Sequence, residues 1–234
     1  MNQRPVAHIP RYVIALLVLG LGLQLAWHQV MRVNQATARQ LDIPLSPTYY
    51  RILSLNDPIL AARGLDLWLQ SFDTQAGISI PFNRLNYDRV VLWLERILAL
   101  DDGDNYPMLA AGNIYARVND NQRVKKMLDF IEQRFDKDPG RNWRWLADAA
   151  IIAKHKLQDL PLALKYANKL SSQAGQNIPY WAKDLRLIIL EDMGEVETLK
   201  TLIGGLLAHG EISDPYEIRF LEHRLEQLNA KPEP

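Results

Sequence analysis

The chain has 234 residues, 48% of them hydrophobic, with 27 basic and 27 acidic side chains and no cysteine. Only Arg4, Arg11 and Arg32 among the basic residues precede Arg39, so residues 39–234 carry a slight excess of acid and offer no basic footprint for nucleic acid. The lack of cysteine excludes disulfides, thiol catalysis, thiolate metal sites and a lipidated cysteine.

No Asp or Glu occurs before Asp42, and a hydrophobic block runs from Tyr12 to Val30 with arginines on both sides. As a helix this block reaches roughly 28 Å, close to the ~30 Å hydrocarbon core of a bilayer. The expected organisation is a cytoplasmic tail over 1–11, a transmembrane signal-anchor over 12–33 and a linker over 34–56. Ala36-Thr37-Ala38 has the small-x-small form of a cleavage site, so a removed secretory signal is the competing reading. The long stretch between Trp27 and that triplet favours retention. Arg4 and Arg11 balance Arg32 and Arg39, which weakens the usual Lys/Arg asymmetry. A short tail with a free amine stays inside and exports the rest, which places the chain in the inner membrane as a single-pass protein with a periplasmic domain. Within the span, Gly22 and Ala26 form a small-xxx-small pair, with Gln24 between them, that could bring two anchors together as a homodimer.

Beyond the linker, Asp57 to Phe72 reads as a helix, followed by a loop from Asp73 to Asn86 with an apolar run, Gly77 to Phe82. Such a run either tucks under its own hairpin or serves a function. Four later segments share an apolar i, i+4, i+7 stripe: Val90/Leu94/Ile97, Val124/Leu128/Ile131, Ala163/Ala167/Leu170 and Leu199/Ile203/Leu206. Their first members recur after 34, 39 and 36 residues. A second helical stretch precedes each of the last three: Tyr106 to Val118, Trp143 to Lys156 and Tyr180 to Met193. Tight turns at Asn119-Asp120, Gln158-Asp159 and Gly194-Glu195 join the partners. Trp68 and Trp93, at helical spacing among leucines, read as hairpin-packing residues rather than a ligand cage. The final helix starts at Asp214-Pro215, a capping residue followed by a first-turn proline, and carries Ile218, Leu221, Leu225 and Leu228 on one face. Residues 230–234 read as a disordered tail.

A helix, a tight turn and a second helix repeated every 34 to 39 residues resembles the tetratricopeptide repeat family. The likeness is carried by Ala111-Gly112 and Tyr115 with Val124, Leu128 and Ile131, closed by Asp138-Pro139. It continues in Ala150, Asp159, Ala163 and Ala167 of the next unit and in Gly194 of the last. An anchor followed by such repeats is also similar to single-span bacterial proteins that bring no activity with the likeness. The resemblance implies an all-α fold: the transmembrane helix, then over 57–229 a right-handed solenoid of stacked hairpins with a C-terminal capping helix. It also implies a groove lined by the first helix of each unit, which selects Tyr106, Asn113, Arg117, Trp145, Asp148, Ile152, His155, Trp181 and Asp184. The function implied is a membrane-anchored module that binds a peptide or partner protein. A structural or assembly subunit of an envelope complex is the alternative, and an enzyme of unknown activity the third reading.

The residues themselves suggest no reaction. His8, His28, His155, His209 and His223 lack metal-ligand spacing, and no phosphate loop or nucleophile elbow occurs. Asp101-Asp102-Gly103-Asp104-Asn105 lacks the order and the distal Glu of a calcium loop and reads as a turn. No catalytic residue, metal or cofactor is therefore expected.

Overall fold

The computed structural model describes residues 10–30, 39–72, 74–75, 78–173, 178–208, 212 and 214–230. The cleavage-site triplet, Gly77, His8, His209 and residues 231–234 lie outside them. The fold is mostly helical, and the chain divides into two compact units, Met1–Arg39 with Thr74–Ile80, and Gln40–Asp73 with Pro81–Pro234.

The first unit holds α1 (Arg11–Val30), the one helix among the described residues long and apolar enough to cross a membrane. A secretory signal has the same length and composition. Strands β1 (Thr74–Gln75) and β2 (Ile78–Ser79) pair antiparallel, Thr74 opposite Ser79. The Gln75 side chain exchanges hydrogen bonds with the backbone of Arg39, at 3.1 and 3.2 Å.

The second unit comprises α2 (Pro47–Leu53), α3 (Pro58–Ser71), α4 (Tyr87–Leu100), α5 (Tyr106–Leu109), α6 (Asn121–Lys137), α7 (Pro139–His155), α8 (Leu160–Ser171), α9 (Tyr180–Lys183), α10 (Leu185–Asp192), α11 (Val196–Ala208) and α12 (Pro215–Ala230). Aspartates punctuate it. The side chains of Asp57, Asp120, Asp138 and Asp159 each accept from the backbone N–H three residues on, at 3.0–3.1 Å, which satisfies donors that a helix start leaves open. Gln158 and Gly194 take the left-handed conformation, φ 54° and 76°, that turns the chain back between α7 and α8 and between α10 and α11.

Three boundaries differ from the expected ones. Asp138 both ends α6 and caps α7, so α7 starts at Pro139 instead of Trp143 and one residue separates the two helices. The expected linker contains α2, started by Ser46, and Leu41, which is buried. Its carbonyls are used as well: Arg89 donates to the Leu41 oxygen at 2.5 Å and the Trp93 indole to the Asp42 oxygen at 2.7 Å. Finally, the helix expected from Tyr180 to Met193 breaks at Asp184 into α9 and α10.

The apolar stripes make the core. Eleven of their twelve side chains are 0–1% exposed, and only Leu206 is half-buried. Within the unit α3 packs on α4, α6 on the segment before it, α7 on α8 and α10 on α11; α6 also meets α7, and α8 meets α10. Helix α12 covers α11, burying Leu221 and Leu228 in a cluster with Leu187, Leu190, Leu199 and Ile203. Trp68 and Trp93 stack at 4.3 Å between α3 and α4, as packing residues would. Phe82 of the apolar loop lies edge-on to Tyr115 at 5.7 Å.

Ala163 has no exposed surface and sits on α8 where α7 packs. A leucine there has to push the two helices away from each other, at a cost of about 1 to 3 kcal/mol. Ala163→Leu should lower the thermal unfolding temperature by several degrees in circular dichroism, and an unchanged transition would refute close packing at this position.

Candidate functional site

The stretch from Tyr106 to Arg117 is helical but irregular. Asn105 and Pro107 start α5, after which the chain widens into a π turn over Ala110–Ile114 and tightens into a 3-10 turn over Tyr115–Arg117. Ala110, Ala111 and Gly112 are buried, with the Gly112 Cα backed by Ile131 of α6. The change of winding leaves carbonyls without their regular helical donors. Arg117 takes one of them: its Nε donates to the Asn113 carbonyl at 3.1 Å and its guanidinium also reaches the Asn113 side-chain oxygen at 3.5 Å.

Helix α7 faces this stretch across a cleft of about 330 Å³ lined by Gly112, Asn113, Ala116, Arg117, Asp148, Ile151, Ile152, His155 and Lys156. Asp148, Ile152 and His155 are spaced four and three apart, which places them on one face of α7. Ile151, Ile152 and Ala116 supply apolar surface. Arg117, His155 and Lys156 supply the cationic or protonatable edge. Burial, and next the Arg117 charge, hold the Lys156 ammonium below its ordinary range, while burial raises the Asp148 carboxyl. An anionic group entering between Arg117 and Lys156 relieves their repulsion.

Five of the nine residues selected from the sequence therefore meet in one cleft: Asn113, Arg117, Asp148, Ile152 and His155. The other four lie outside its lining. Tyr106 is half-buried, its backbone N–H bound to Asp104 at 2.9 Å. Trp145 is half-buried one turn before Asp148. Trp181 sets its ring edge-on to Trp143, 5.5 Å between centroids. Asp184 turns to α12, where burial and then a hydrogen bond with Glu217 raise its carboxyl to about 8; this contact joins α12 to the α9–α10 break, and Asp184 does not line the cleft. Ile151, three residues after Asp148 and four before His155, and Lys156, four after Ile152, share this face of α7 and join the lining.

On α1, Gly22 and Ala26 lie one turn apart on the same face. Gln24 is two residues from each, ~200° around the helix, and so points away from that face.

The carboxylate-rich turn is tied down by arginines. Asp102 pairs with Arg134 and Arg141, the Asp101 side chain accepts from the Gly103 N–H at 3.0 Å, and Arg63 bridges Asp104 at 2.8 Å and Asp66 at 3.3 Å. Among the described residues no three His, Asp or Glu side chains converge to hold a metal. Comparison with family models, characterised proteins and solved structures finds no match to this chain.

Asp66 is 3% exposed. Burial, then a hydrogen bond with Asp104 and the Asp104 charge, push its carboxyl up to about 7 against the pull of Arg63. The folded chain thus keeps a proton on this pair that the unfolded chain loses near pH ~4. The associated stability is complete below that value and is lost as pH rises through about 7. Asp184 adds a trend of the same sign, so the test is a difference. The fall in unfolding temperature between roughly pH 5 and 7.5 should be shallower in Asp66→Asn than in the parent chain. Equal slopes would assign the dependence to other groups.

Proposed function

We propose that the chain is a membrane-anchored interaction module whose cleft between the 106–117 stretch and α7 receives a segment of a partner protein. The observation that carries this reading is the meeting of Asn113 and Arg117 with Asp148, Ile152 and His155, residues 31 to 42 positions away, around an open cleft that mixes apolar floor with cationic edge. Irregular π turns are frequent at functional sites, and this one forms a wall. An aliphatic anchor beside an acidic side chain is the segment such a cleft fits: Ile151 and Ile152 take the apolar group, Arg117 and Lys156 the charge, and Asn113 and Asp148 orient the backbone.

In this reading the hairpins stack as a right-handed solenoid of the tetratricopeptide type, closed by α12, and α1 stays in the inner membrane with the second unit in the periplasm. Support comes from the buried stripes at repeat spacing and from the length and apolar character of α1. The chain acts by holding a partner, with no cofactor and no reaction of its own.

Two experiments test these statements on the full-length chain. Partners copurified from native membranes are identified by mass spectrometry, and Arg117→Ala with Ile152→Ala should then weaken capture more than tenfold, ~1.4 kcal/mol, with helical content unchanged. Trp145→Ala, outside the cleft lining, should matter far less; undiminished capture by the folded double variant would move the binding surface elsewhere. Protease added to spheroplasts should digest the second unit. Full protection would reverse the orientation, and a mature N terminus at Arg39 would replace the anchor with a cleaved signal.

A further inference from the structure

The surface around the turn between α2 and α3 is unusually apolar. Ile52 is 71% exposed and Leu55 93%, and Leu53, Ile59 and Leu60 are each more than half exposed. These residues are not a displaced core. Helix α3 already buries Ala61, Ala62, Leu65 and Leu69 on its other side, and α2 has no buried residue at all. Within its own protein α2 half-buries only Pro47 and Tyr50, the latter against the Trp93 ring at 6.3 Å, and its Ile52 and Leu53 are left directed at something else.

The backbone points the same way. Leu55 and Asn56 both take the left-handed conformation, φ 54° and 67°. Asparagine tolerates this region, but for a bulky side chain it is strained, and glycine is the unstrained choice. The turn is nonetheless fixed, with the Leu55 N–H donating to the Ile52 carbonyl at 3.2 Å and the Asn56 N–H to the Arg51 carbonyl at 2.7 Å. A leucine held in strain at the very tip, almost wholly in solvent, marks a side chain kept there for contact.

Arg51 and Asp57 are the two charged residues between Asp42 and Arg63. Asp57 spends its charge capping α3, at 3.0 Å from the Leu60 N–H. The long stem of Arg51 lets its guanidinium reach outward from an apolar surface to a polar layer. An interface with another protein would carry a fuller rim of charged and hydrogen-bonding groups than this tip offers.

Sixteen residues separate Val30, the last of α1, from Pro47, the first of α2. At ~3.3–3.6 Å per residue that tether spans at most ~60 Å, so an α1 held in a bilayer keeps the tip permanently within reach of the lipid surface.

We propose that the α2–α3 turn inserts into the surface of the lipid bilayer, with Ile52, Leu53, Leu55, Ile59 and Leu60 among the upper acyl chains and Arg51 at headgroup level. The choice of lipid as occupant rests on the reading of α1 as a retained anchor. Such insertion holds the first hairpin of the second unit against the membrane.

The absence of cysteine makes the test direct. Full-length chains carrying Leu55→Cys, Leu19→Cys or Lys137→Cys are labelled with a polarity-sensitive fluorophore and reconstituted into vesicles of phosphatidylethanolamine and phosphatidylglycerol, with or without acyl-chain nitroxides. Position 19 reports on α1 and position 137, exposed at the end of α6, on water. The label at 55 should shift to the blue and lose emission to the nitroxides as the label at 19 does, while the label at 137 does neither. Quenching at 19 with a water-like signal at 55 would overturn the insertion and leave the anchor standing. A blue shift at 55 without quenching would place a second copy or another protein over the tip and equally overturn it. Quenching at 55 without quenching at 19 would remove the anchor reading and keep the lipid contact, and quenching at neither would end both.

Discussion

An apolar stripe that returns every 34 to 39 residues cannot be buried by one hairpin alone, and the second unit is arranged around that constraint. Val124, Leu128 and Ile131 are fully buried because α6 has neighbours on both sides, the stretch before it and α7 after it. The same holds for Ala163, Ala167 and Leu170, with α7 on one side and α10 on the other. Burying one Val, Leu or Ile is worth about 1.5 to 3 kcal/mol, so the stripes dominate the stability of the unit. Where the sequence of hairpins ends, the constraint remains, and α12 meets it by laying Leu221 and Leu228 over the surface that α11 would leave open.

Ion pairs run alongside. Lys126 of α6 meets Asp88 of α4; Lys165 and Lys169 of α8 meet Glu132 of α6; Arg224 of α12 meets Glu191 of α10. Burial pushes the Glu132 carboxyl up, but hydrogen bonds from the two lysines and their charges pull it below its ordinary range. The exposed pair Lys126–Asp88 contributes about 0 to 1 kcal/mol, well under a stripe residue. The effect of these pairs is on alignment: an apolar stripe tolerates sliding along its length, whereas a lysine held by particular acids, as Lys169 is by Glu132 and Asp136, does not.

How much of this could be read in advance depends on whether the determinant is local. The limits of α4 follow from an Asn cap and an unbroken stripe, both visible within fifteen residues, and the Asp and Gly turns are legible for the same reason. Asp138 misled because one residue serves two helices, a sharing that neither helix shows alone. The partners of Asp66 and Asp184, namely Asp104 and Glu217, stand 38 and 33 residues away, and nothing local announces either pairing. The cleft was half legible. The repeat resemblance selects Asp148, Ile152 and His155, whose spacing puts them on one face of α7, but the π turn that brings Asn113 and Arg117 opposite them is a property of tertiary packing around three small residues, and Trp181, selected the same way, is drawn to Trp143 instead.

The two ends of the second unit are finished differently. At its C-terminal end an amphipathic helix buries the last apolar stripe, and the outward side of that helix mixes Glu222, His223, Glu226 and Gln227 with the exposed rings of Tyr216 and Phe220. At its N-terminal end α3 buries one face, while α2 has no fully buried residue and the strained tip at Leu55 stays uncovered. An exposed apolar patch invites association with whatever can cover it. The strained apolar tip is the one that follows, after sixteen residues and α2, the only described helix with the length and composition of a membrane span. Under the proposed lipid contact, a retained α1 and the apolar tip make one demand on the chain, that the α2–α3 turn stay beside the bilayer.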